Sequence, residues 1–258
     1  KIKPSFVIIA AARVGGILAN NSYRAEFIYQ NLEIQNNLIH GSYINGVKNL
    51  IFLGSSCIYP KFCKQPQKEE YLLNGKLEQT NEPYALAKII GVKMCENYNR
   101  QYNTNYLSLM PTNSYGYGDS YDLKKCHFFS AIIKKIFIAK KNNEKHITLL
   151  GTGKAKRELV FVDDIADAVI HFMSKKTKEY LINVGTGKDY TIKQYAEFIL
   201  RRLKIKMKIK FDKRYPDGTP RKVLDTSLAK KYGWAAKTDL KTGFDKTYKE
   251  FIEKKLYL

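Results

Sequence analysis

Residues 48–60 read Lys48-Asn-Leu-Ile-Phe-Leu-Gly-Ser-Ser-Cys-Ile-Tyr-Pro60, a short apolar run followed at once by a glycine and small polar residues. A run of this length that ends in a turn signal is typical of a strand buried on both faces, as in a parallel sheet. A similar run at Pro4–Ala12 precedes it, and an apolar pattern over about 21–46 between the two predicts a long helix. Two strands joined by a helix predict a βαβ unit with a parallel sheet.

The pattern continues outward with a second helix and a third strand. The second helix is predicted over about 83–102, with Pro83 in its first turn, and the strand over Asn105–Met110. In open α/β sheets, ligands lie beyond the carboxyl ends of the strands. Three successive strand ends are therefore predicted to line one crevice, and they carry Ala11–Arg13, Ser55–Cys57 and Thr112–Asn113.

Tyr84 and Lys88 lie four residues apart at the start of the second helix, so their side chains share one face. A lysine beside a tyrosine favours the phenolate, and its ammonium can also donate to a ligand hydroxyl. With Ser55 at the nearby strand end, a hydroxyl, a phenol and an ammonium would surround a carbonyl, which is what hydride reduction needs. Each signal is weak alone, because Tyr-x-x-x-Lys is common on helices and a serine often ends a strand in a turn.

The second half of the chain has a more mixed pattern. A helix is predicted near 127–141, strands at 147–153, 157–162 and 180–184, and further helices and a strand up to the C-terminus. We predict an α/β fold in two parts. Residues 1–120 form a partial cofactor-binding domain, and residues 121–258 mainly form a smaller α/β substrate-binding domain, with segments around 146–184 returning to the core sheet.

Composition restricts the function classes. The 258 residues carry 45 Lys+Arg against 24 Asp+Glu, a formal net charge of +21, but the lysines are scattered and no nucleic-acid motif accompanies them. No apolar run reaches the length of a membrane span, and the first residues do not resemble a signal peptide. The four cysteines have no metal-type spacing and suit a reducing compartment. We therefore expect a cytoplasmic protein without metal, membrane or nucleic-acid partners.

Longer motifs follow one another in order along nearly the whole chain: Ala10–Ile17, Leu53–Lys61, Glu82–Lys88, Met110–Asn113, Arg157–Asp164 and Asp217–Lys222. Together they resemble the extended short-chain dehydrogenase/reductase superfamily and, within it, the GDP-L-fucose synthase family. The resemblance implies a doubly wound, Rossmann-type parallel sheet, NADPH/NADP+ as cofactor and a GDP-4-keto-6-deoxy sugar as substrate. The implied activity is 3,5-epimerisation followed by 4-reduction, in nucleotide-sugar biosynthesis.

The resemblance also implies a role for each site residue. Ser55, Tyr84 and Lys88 would serve the reduction, Cys57 would be the base for the C3 and C5 protons, and His127 would be the acid that returns a proton. Cofactor contacts are implied for Ala11, Ser55, Tyr84, Lys88, Pro111, Asn113 and His127, and substrate contacts for Asn113, Lys135, Arg157 and Lys222. Without the resemblance, Cys57 would be interpreted as a small buried residue and His127 as a surface histidine at a helix start. A homodimer through the helices at about 21–46 and 83–102 is implied as well.

The sequence departs from the family pattern in three places. Leu150 precedes a Gly-Thr-Gly turn where the family often has tryptophan. Lys135 stands where an arginine is expected, and a lysine cannot reproduce the bidentate hydrogen bonds of an arginine. The family's first strand, Gly-x-x-Gly-x-x-Gly turn and helix have no counterpart here, which suggests that about 60 residues of the dinucleotide fold are missing. We therefore expect poor cofactor affinity from residues 1–258 alone. Two alternatives stay open: a 4-reductase acting on a related GDP-keto sugar such as a heptose, and a truncated, non-catalytic nucleotide-sugar binder.

Overall fold

The computed structural model describes residues 3–257, except the side chain of Leu18. The strands in this range are β1 (Phe6–Ile9), β2 (Asn49–Leu53), β3 (Asn105–Pro111), β4 (Asn113–Tyr115), β5 (His146–Leu150), β6 (Lys156–Phe161), β7 (Leu181–Val184), β8 (Asp189–Thr191), β9 (Lys208–Asp212) and β10 (Arg221–Lys222). The helices are α1 (Ile17–Ser22), α2 (Arg24–Ile44), α3 (Glu82–Tyr102), α4 (Phe128–Lys141), α5 (Val162–Met173), α6 (Ile192–Arg202), α7 (Ser227–Lys231) and α8 (Leu240–Glu253).

The main sheet has four parallel strands in the order β1-β2-β3-β7. Alternate residues of β2 enter two different cores: Leu50 and Phe52 pack with residues of α2 and α3, whereas Ile51 packs with residues of α5 on the other face. A strand that is buried on both faces reads as a continuous apolar run, which is why the stretch 48–60 predicted it correctly. The predicted doubly wound α/β fold is confirmed.

The first long helix differs from its prediction. It begins at Arg24, after the short helix α1, and ends at Ile44 rather than spanning about 21–46. Polar side chains share its buried face: Asn31, Gln35 and Ser42 are buried beside the apolar residues. The Gln35 side chain donates to the carbonyl of Ala87 in α3 at 2.6 Å. Hydrogen bonds as well as apolar packing therefore join α2 to α3.

Close approach between α3 and the sheet is possible because residue 91 is glycine. A Cβ atom there would lie 2.5 Å from the Phe52 ring and 3.0 Å from the Gln35 side-chain oxygen. Such distances are too short for a methyl group, so any larger residue would push α3 away from β2. The helix that carries Tyr84 and Lys88 thus packs directly on the strand that leads to Ser55.

The second half of the chain builds two smaller sheets. One has the order β10-β6-β4, all parallel, with β8 antiparallel to β6, and the other pairs β5 with β9. Helices α4, α6 and α8 enclose an aromatic-rich core beside them. Helix α5 and strand β7 lie with the main sheet, whereas β5 and β6 belong to the smaller sheets. Among residues 3–257, no helix combines the length and apolar character needed to cross a membrane.

Candidate active site

Ser55 and Cys57 lie just beyond the carboxyl end of β2. Ser55 is the N-cap of a one-turn 3-10 helix over Ser56–Ile58, and its hydroxyl oxygen accepts a hydrogen bond from the Cys57 N–H at 3.3 Å. The preceding Gly54 lies so close to Met110 that a Cβ would overlap that side chain. The packing of Met110 at this position therefore favours glycine, and the turn that follows brings Cys57 to a buried position, 5% exposed.

Lys88 connects helix α3 to this strand end. Its side chain is buried, and the ammonium donates to the Leu53 carbonyl at 2.8 Å. The Lys88 Nζ atom also lies 4.6 Å from the centre of the Phe52 ring and 5.8 Å from that of Tyr84. Contacts of a cation with ring faces at these distances are favourable. Lys88 therefore fixes the first turns of α3, which carry Tyr84, against the end of β2.

Burial changes the acidity of both groups. It lowers the pKa of Lys88 to about 8, an effect that the nearby Cys57 partly opposes. Burial, with a smaller contribution from Cys57, raises the pKa of Tyr84, while the Ser55 hydroxyl lowers it. The structure thus keeps Tyr84 as a neutral phenol, contrary to our prediction that Lys88 favours the phenolate. The reason is the cost of charging a buried phenol. A neutral phenol suits a proton donor.

The ammonium groups of two lysines act on the thiol of Cys57. Burial raises the pKa of its thiol, and the effects that lower it are led by Lys222, followed by the Ser55 hydrogen bond and Lys88. Lys222 is on β10, directly opposite Arg157 of β6 in the parallel register. Residues paired in this way point to the same face of a sheet. The cluster around Cys57 is therefore connected through Lys222 to Arg157.

Arg157 lines a cavity of about 250 Å³ together with the predicted residues Asn113, His127 and Lys135. These four side chains come from β4, the N-terminus of α4, α4 itself and β6. The Asn113 amide donates to the Glu158 carbonyl at 3.0 Å, and the Lys135 ammonium donates to the Thr148 carbonyl at 2.8 Å. The structure thus brings together four predicted side chains that are spread over 44 residues of the sequence, from Asn113 to Arg157.

The cavity also contains residues that our sequence analysis did not assign. Among these residues, Asp217 makes hydrogen bonds with both Thr152 and Arg157. Its carboxylate accepts from the Thr152 N–H at 2.7 Å and from the Thr152 hydroxyl at 2.5 Å, and its carbonyl accepts from the Arg157 guanidinium at 2.9 Å. The motif Asp217–Lys222 was a signal for it, but only Lys222 was selected. Leu150, the departure from the family pattern, lines the cavity and is exposed.

Besides Ser55, Cys57, Tyr84 and Lys88, which form the cluster described above, three predicted residues lie outside this cavity's lining. Ala11 is exposed beyond the end of β1, Pro111 is the last residue of β3 and is paired with Val184, and Lys222 is half-buried on β10. The lining consists of residues at 16–17 and 113, several residues within 123–135 and within 149–157, and residues 192 and 215–217. Within the part of the chain that the structure describes, no group of His, Cys, Asp and Glu side chains could hold a metal ion.

Comparison with known proteins shows the class to which this fold and site belong. The model of the NAD dependent epimerase/dehydratase family matches residues 1–185. The chain belongs to this family. The predicted resemblance and the predicted enzyme class, a nicotinamide-dependent oxidoreductase and epimerase, are confirmed.

Individual relatives are similar over nearly the whole chain. GDP-L-fucose synthase of Escherichia coli K12 is 46% identical over 256 residues, which cover 96% of this chain and 80% of the relative. GDP-L-fucose synthase of Sinorhizobium fredii is 45% identical over 252 residues, 98% of this chain and 80% of the relative. Among solved structures, a GDP-mannoheptose C4 reductase from Campylobacter jejuni with NADP bound matches with a TM-score of 0.85 and 36% identity, over 97% of this chain and 82% of that one.

Proposed function

We propose that this chain serves an NADPH-dependent epimerase/reductase that converts GDP-4-keto-6-deoxy-D-mannose to GDP-L-fucose. The observation that carries the proposal is the single cavity that holds Asn113, His127, Lys135 and Arg157, with Lys222 connecting it to Cys57. Relatives named GDP-L-fucose synthase at 45–46% identity support the choice of substrate. In this proposal residues 1–120 contribute to cofactor binding and 121–258 mainly to substrate binding.

The cations at the cavity suit the pyrophosphate of a GDP-sugar. Arg157 offers a planar guanidinium, and guanidinium–phosphate pairs are among the stronger hydrogen bonds in proteins. The backbone carbonyls of Asp217 and Lys156 accept hydrogen bonds from that guanidinium at 2.9 and 2.8 Å. These two bonds orient the guanidinium, which lowers the entropy cost of binding an anion.

Epimerisation is assigned to Cys57 and His127. Protons beside a ketone are acidic because the carbanion is delocalised into an enolate, and a thiolate can remove them. Lys222 and Lys88 favour the thiolate of Cys57 against the effect of burial. The return of a proton to the carbon is assigned to His127, whose position at the N-cap of α4 and on the cavity wall supports this role.

Reduction is assigned to Tyr84, Ser55 and Lys88. The neutral phenol of Tyr84 donates its proton to the C4 oxygen as charge develops there, and the Ser55 hydroxyl stabilises the same oxygen. Lys88 uses one of its three N–H groups on the Leu53 carbonyl, so two can serve a ligand hydroxyl.

The donors at the end of β2 and the start of α3 fit a nicotinamide cofactor. A phenol, an ammonium and a hydroxyl at Tyr84, Lys88 and Ser55 match the hydroxyls of its ribose, with Ala11, Pro111, Asn113 and His127 as further proposed contacts. Bound NADPH supplies the hydride for C4.

A second candidate is a 4-reductase acting on a related GDP-keto sugar such as a heptose. It is favoured by one observation, the similarity to the GDP-mannoheptose C4 reductase. Such an enzyme needs the reduction residues but not the exchange of C3 and C5 protons. A third candidate, a non-catalytic nucleotide-sugar binder, would use the cavity without turnover.

Deuterium exchange separates these candidates. The full-length natural protein is incubated with GDP-4-keto-6-deoxy-D-mannose in D2O, first without and then with NADPH. We expect deuterium at C3 and C5 before reduction and loss of NADPH absorbance afterwards. Cys57→Ser should abolish the exchange, whereas Cys95→Ser, at a buried cysteine in α3, should preserve it. Reduction without exchange in the natural protein would favour the 4-reductase, and the absence of both would favour the binder.

We also propose a homodimer formed through α2 and α3. Leu86 and Ile90 lie one turn apart on α3 and are 38% and 40% exposed, and Tyr29 and Ile44 on α2 are each 65% exposed. Burying such side chains against a second copy is favourable. Sedimentation of the natural protein tests this proposal. A cytoplasmic location is proposed with it.

A further inference from the structure

Glu158 is a buried carboxylate with no assigned role. It follows Arg157 on β6 and is 0% exposed. Successive side chains of a strand point to opposite faces, so Glu158 points away from the cavity that Arg157 lines. A carboxylate without solvent is costly unless it is fully hydrogen-bonded, so its partners indicate what it does.

The carboxylate of Glu158 accepts hydrogen bonds from backbone N–H groups of two distant segments, and from the Thr186 hydroxyl at 3.3 Å. One carboxylate oxygen accepts from Thr186 at 2.5 Å and from Gly187 at 2.6 Å, and the other accepts from Leu224 at 2.8 Å. These bonds lower the pKa of Glu158, while burial raises it and prevails. A Cβ at Gly185 would overlap the carboxylate, so this close approach requires glycine there.

The contact with Leu224 fixes the segment that carries Lys222. Strand β6 holds this segment on both sides of Lys222: the Lys156 N–H donates to the Pro220 carbonyl at 2.8 Å, and Glu158 binds Leu224. Between these two points, Lys222 is paired with Arg157. On its other side the segment is held by the loop that follows Cys57: the Val223 N–H donates to the Gln65 side chain at 3.1 Å, and the Gln67 N–H donates to the Val223 carbonyl at 2.8 Å. The Lys222 backbone is therefore held between this loop and β6, the strand that also presents Arg157.

Lys222 in turn acts on Cys57. Among the groups that lower the pKa of the Cys57 thiol, Lys222 has the largest effect, and Cys57 reciprocally raises the pKa of Lys222. The contacts of Val223 with Gln65 and Gln67 place the segment of Lys222 against the loop that follows Cys57, which agrees with this mutual effect. We propose that Glu158 is a positioning residue that, by anchoring Leu224, holds the Lys222 ammonium beside Cys57. The proposal rests on the proposed function only in taking Cys57 as the base.

The alkylation rate of Cys57 distinguishes a positioning role of Glu158 from a purely structural role. The rate of Cys57 alkylation by iodoacetamide follows the thiolate fraction, and it can be read by peptide mass spectrometry from about pH 6 to 10 in the full-length natural protein. The fully buried Cys95 is an internal control, because its labelling reports unfolding. The assay needs neither sugar nucleotide nor cofactor, so its outcome is independent of whether the proposed reaction occurs.

We expect Glu158→Gln and Lys222→Met each to slow Cys57 alkylation at pH 8 by about threefold to tenfold, with Cys95 still protected. The double variant should be no slower than the slower single variant, because both changes remove the same interaction. Asp164→Asn is the matched control. That carboxylate is also buried and accepts from the backbone of Thr238 at 3.0 Å, but it is not connected to Cys57.

Glu158→Asp keeps the charge and shortens the reach, and it replaces Glu158→Gln if the latter unfolds. A wild-type alkylation rate in a folded Glu158 variant, while Lys222→Met is slow, would overturn the proposal. So would labelling of Cys95 in both Glu158 variants, because Glu158 would then serve the stability of the fold as a whole. Equal slowing in Asp164→Asn would likewise contradict the specific role of Glu158.

Discussion

The cluster of Ser55, Cys57, Tyr84 and Lys88 and the cavity lined by Arg157 are constructed in different ways. The cluster comes from two neighbouring elements, the turn after β2 and the start of α3, and its groups are buried with shifted pKa values. The cavity collects residues from strands, helices and loops that are spread along the chain, from Gly16 to Asp217. Its cations are held by backbone carbonyls such as that of Thr148.

This difference suggests a division of labour. Burial is what gives a phenol, a thiol and an ammonium unusual acidity, so the cluster is suited to moving protons. Oriented cations around a cavity are suited to binding an anion without changing their charge. Changes in the cluster should therefore alter rates of chemical steps, and changes in the cavity should alter affinity.

The largest effect is expected from Tyr84→Phe. Loss of the proton donor should lower the rate of the reduction step by roughly 10² to 10⁴ while leaving deuterium exchange at C3 and C5 in place. Single-turnover NADPH oxidation and exchange in D2O measure the two steps separately. The control is Tyr59→Phe, which removes another buried hydroxyl, one that donates to the Asn183 side chain at 2.6 Å, and which should cost stability but not the reduction step. Equal loss of both steps in Tyr84→Phe would contradict the division.

Arg157→Met should act on binding instead. Losing charge-assisted hydrogen bonds to a pyrophosphate should raise KM for the GDP-sugar by about tenfold to a hundredfold, with a smaller change in kcat. Steady-state kinetics at saturating NADPH measure this. Arg221→Met is the matched control, because Arg221 lies in the adjacent strand but pairs with Asp189 at 2.6 Å. A fall in kcat at constant KM would place Arg157 with the chemical steps.

The smallest of the three effects is a difference in pH dependence. The pKa of Lys88 is lowered to about 8, so its ammonium is lost as the pH rises through that value, and the reduction rate should fall by up to about tenfold per pH unit above it. The pKa of Cys57 is raised above its ordinary value, so its thiolate and the exchange rate should increase over the same range. Exchange and single-turnover reduction measured between pH 7 and 10 should therefore show opposite slopes. Parallel slopes would mean that one group controls both steps.

Sequence patterns determined the main sheet well because its signals are local. The run Leu50–Leu53 is apolar on both faces, and the glycine at 54 marks the end of the strand, so strand, turn and site position follow from neighbouring residues. The prediction of helix α2 was less accurate, because Gln35 and Asn31 are polar and would be expected at the surface from the sequence. Their burial depends on partners, the Ala87 and Arg13 carbonyls, that the chain brings close only on folding.

The sequence by itself determined the fold class, the family and the identity of the groups in the cluster, because these depend on short periodicities and contiguous motifs. The tertiary structure alone decided three things. It brought the segment of Lys222 against the loop that follows Cys57, it kept Tyr84 neutral, and it gave Glu158 its three backbone partners. Each of these depends on burial and on contacts between segments far apart in the chain, and neither the dielectric environment of a side chain nor its distant neighbours are encoded in local sequence.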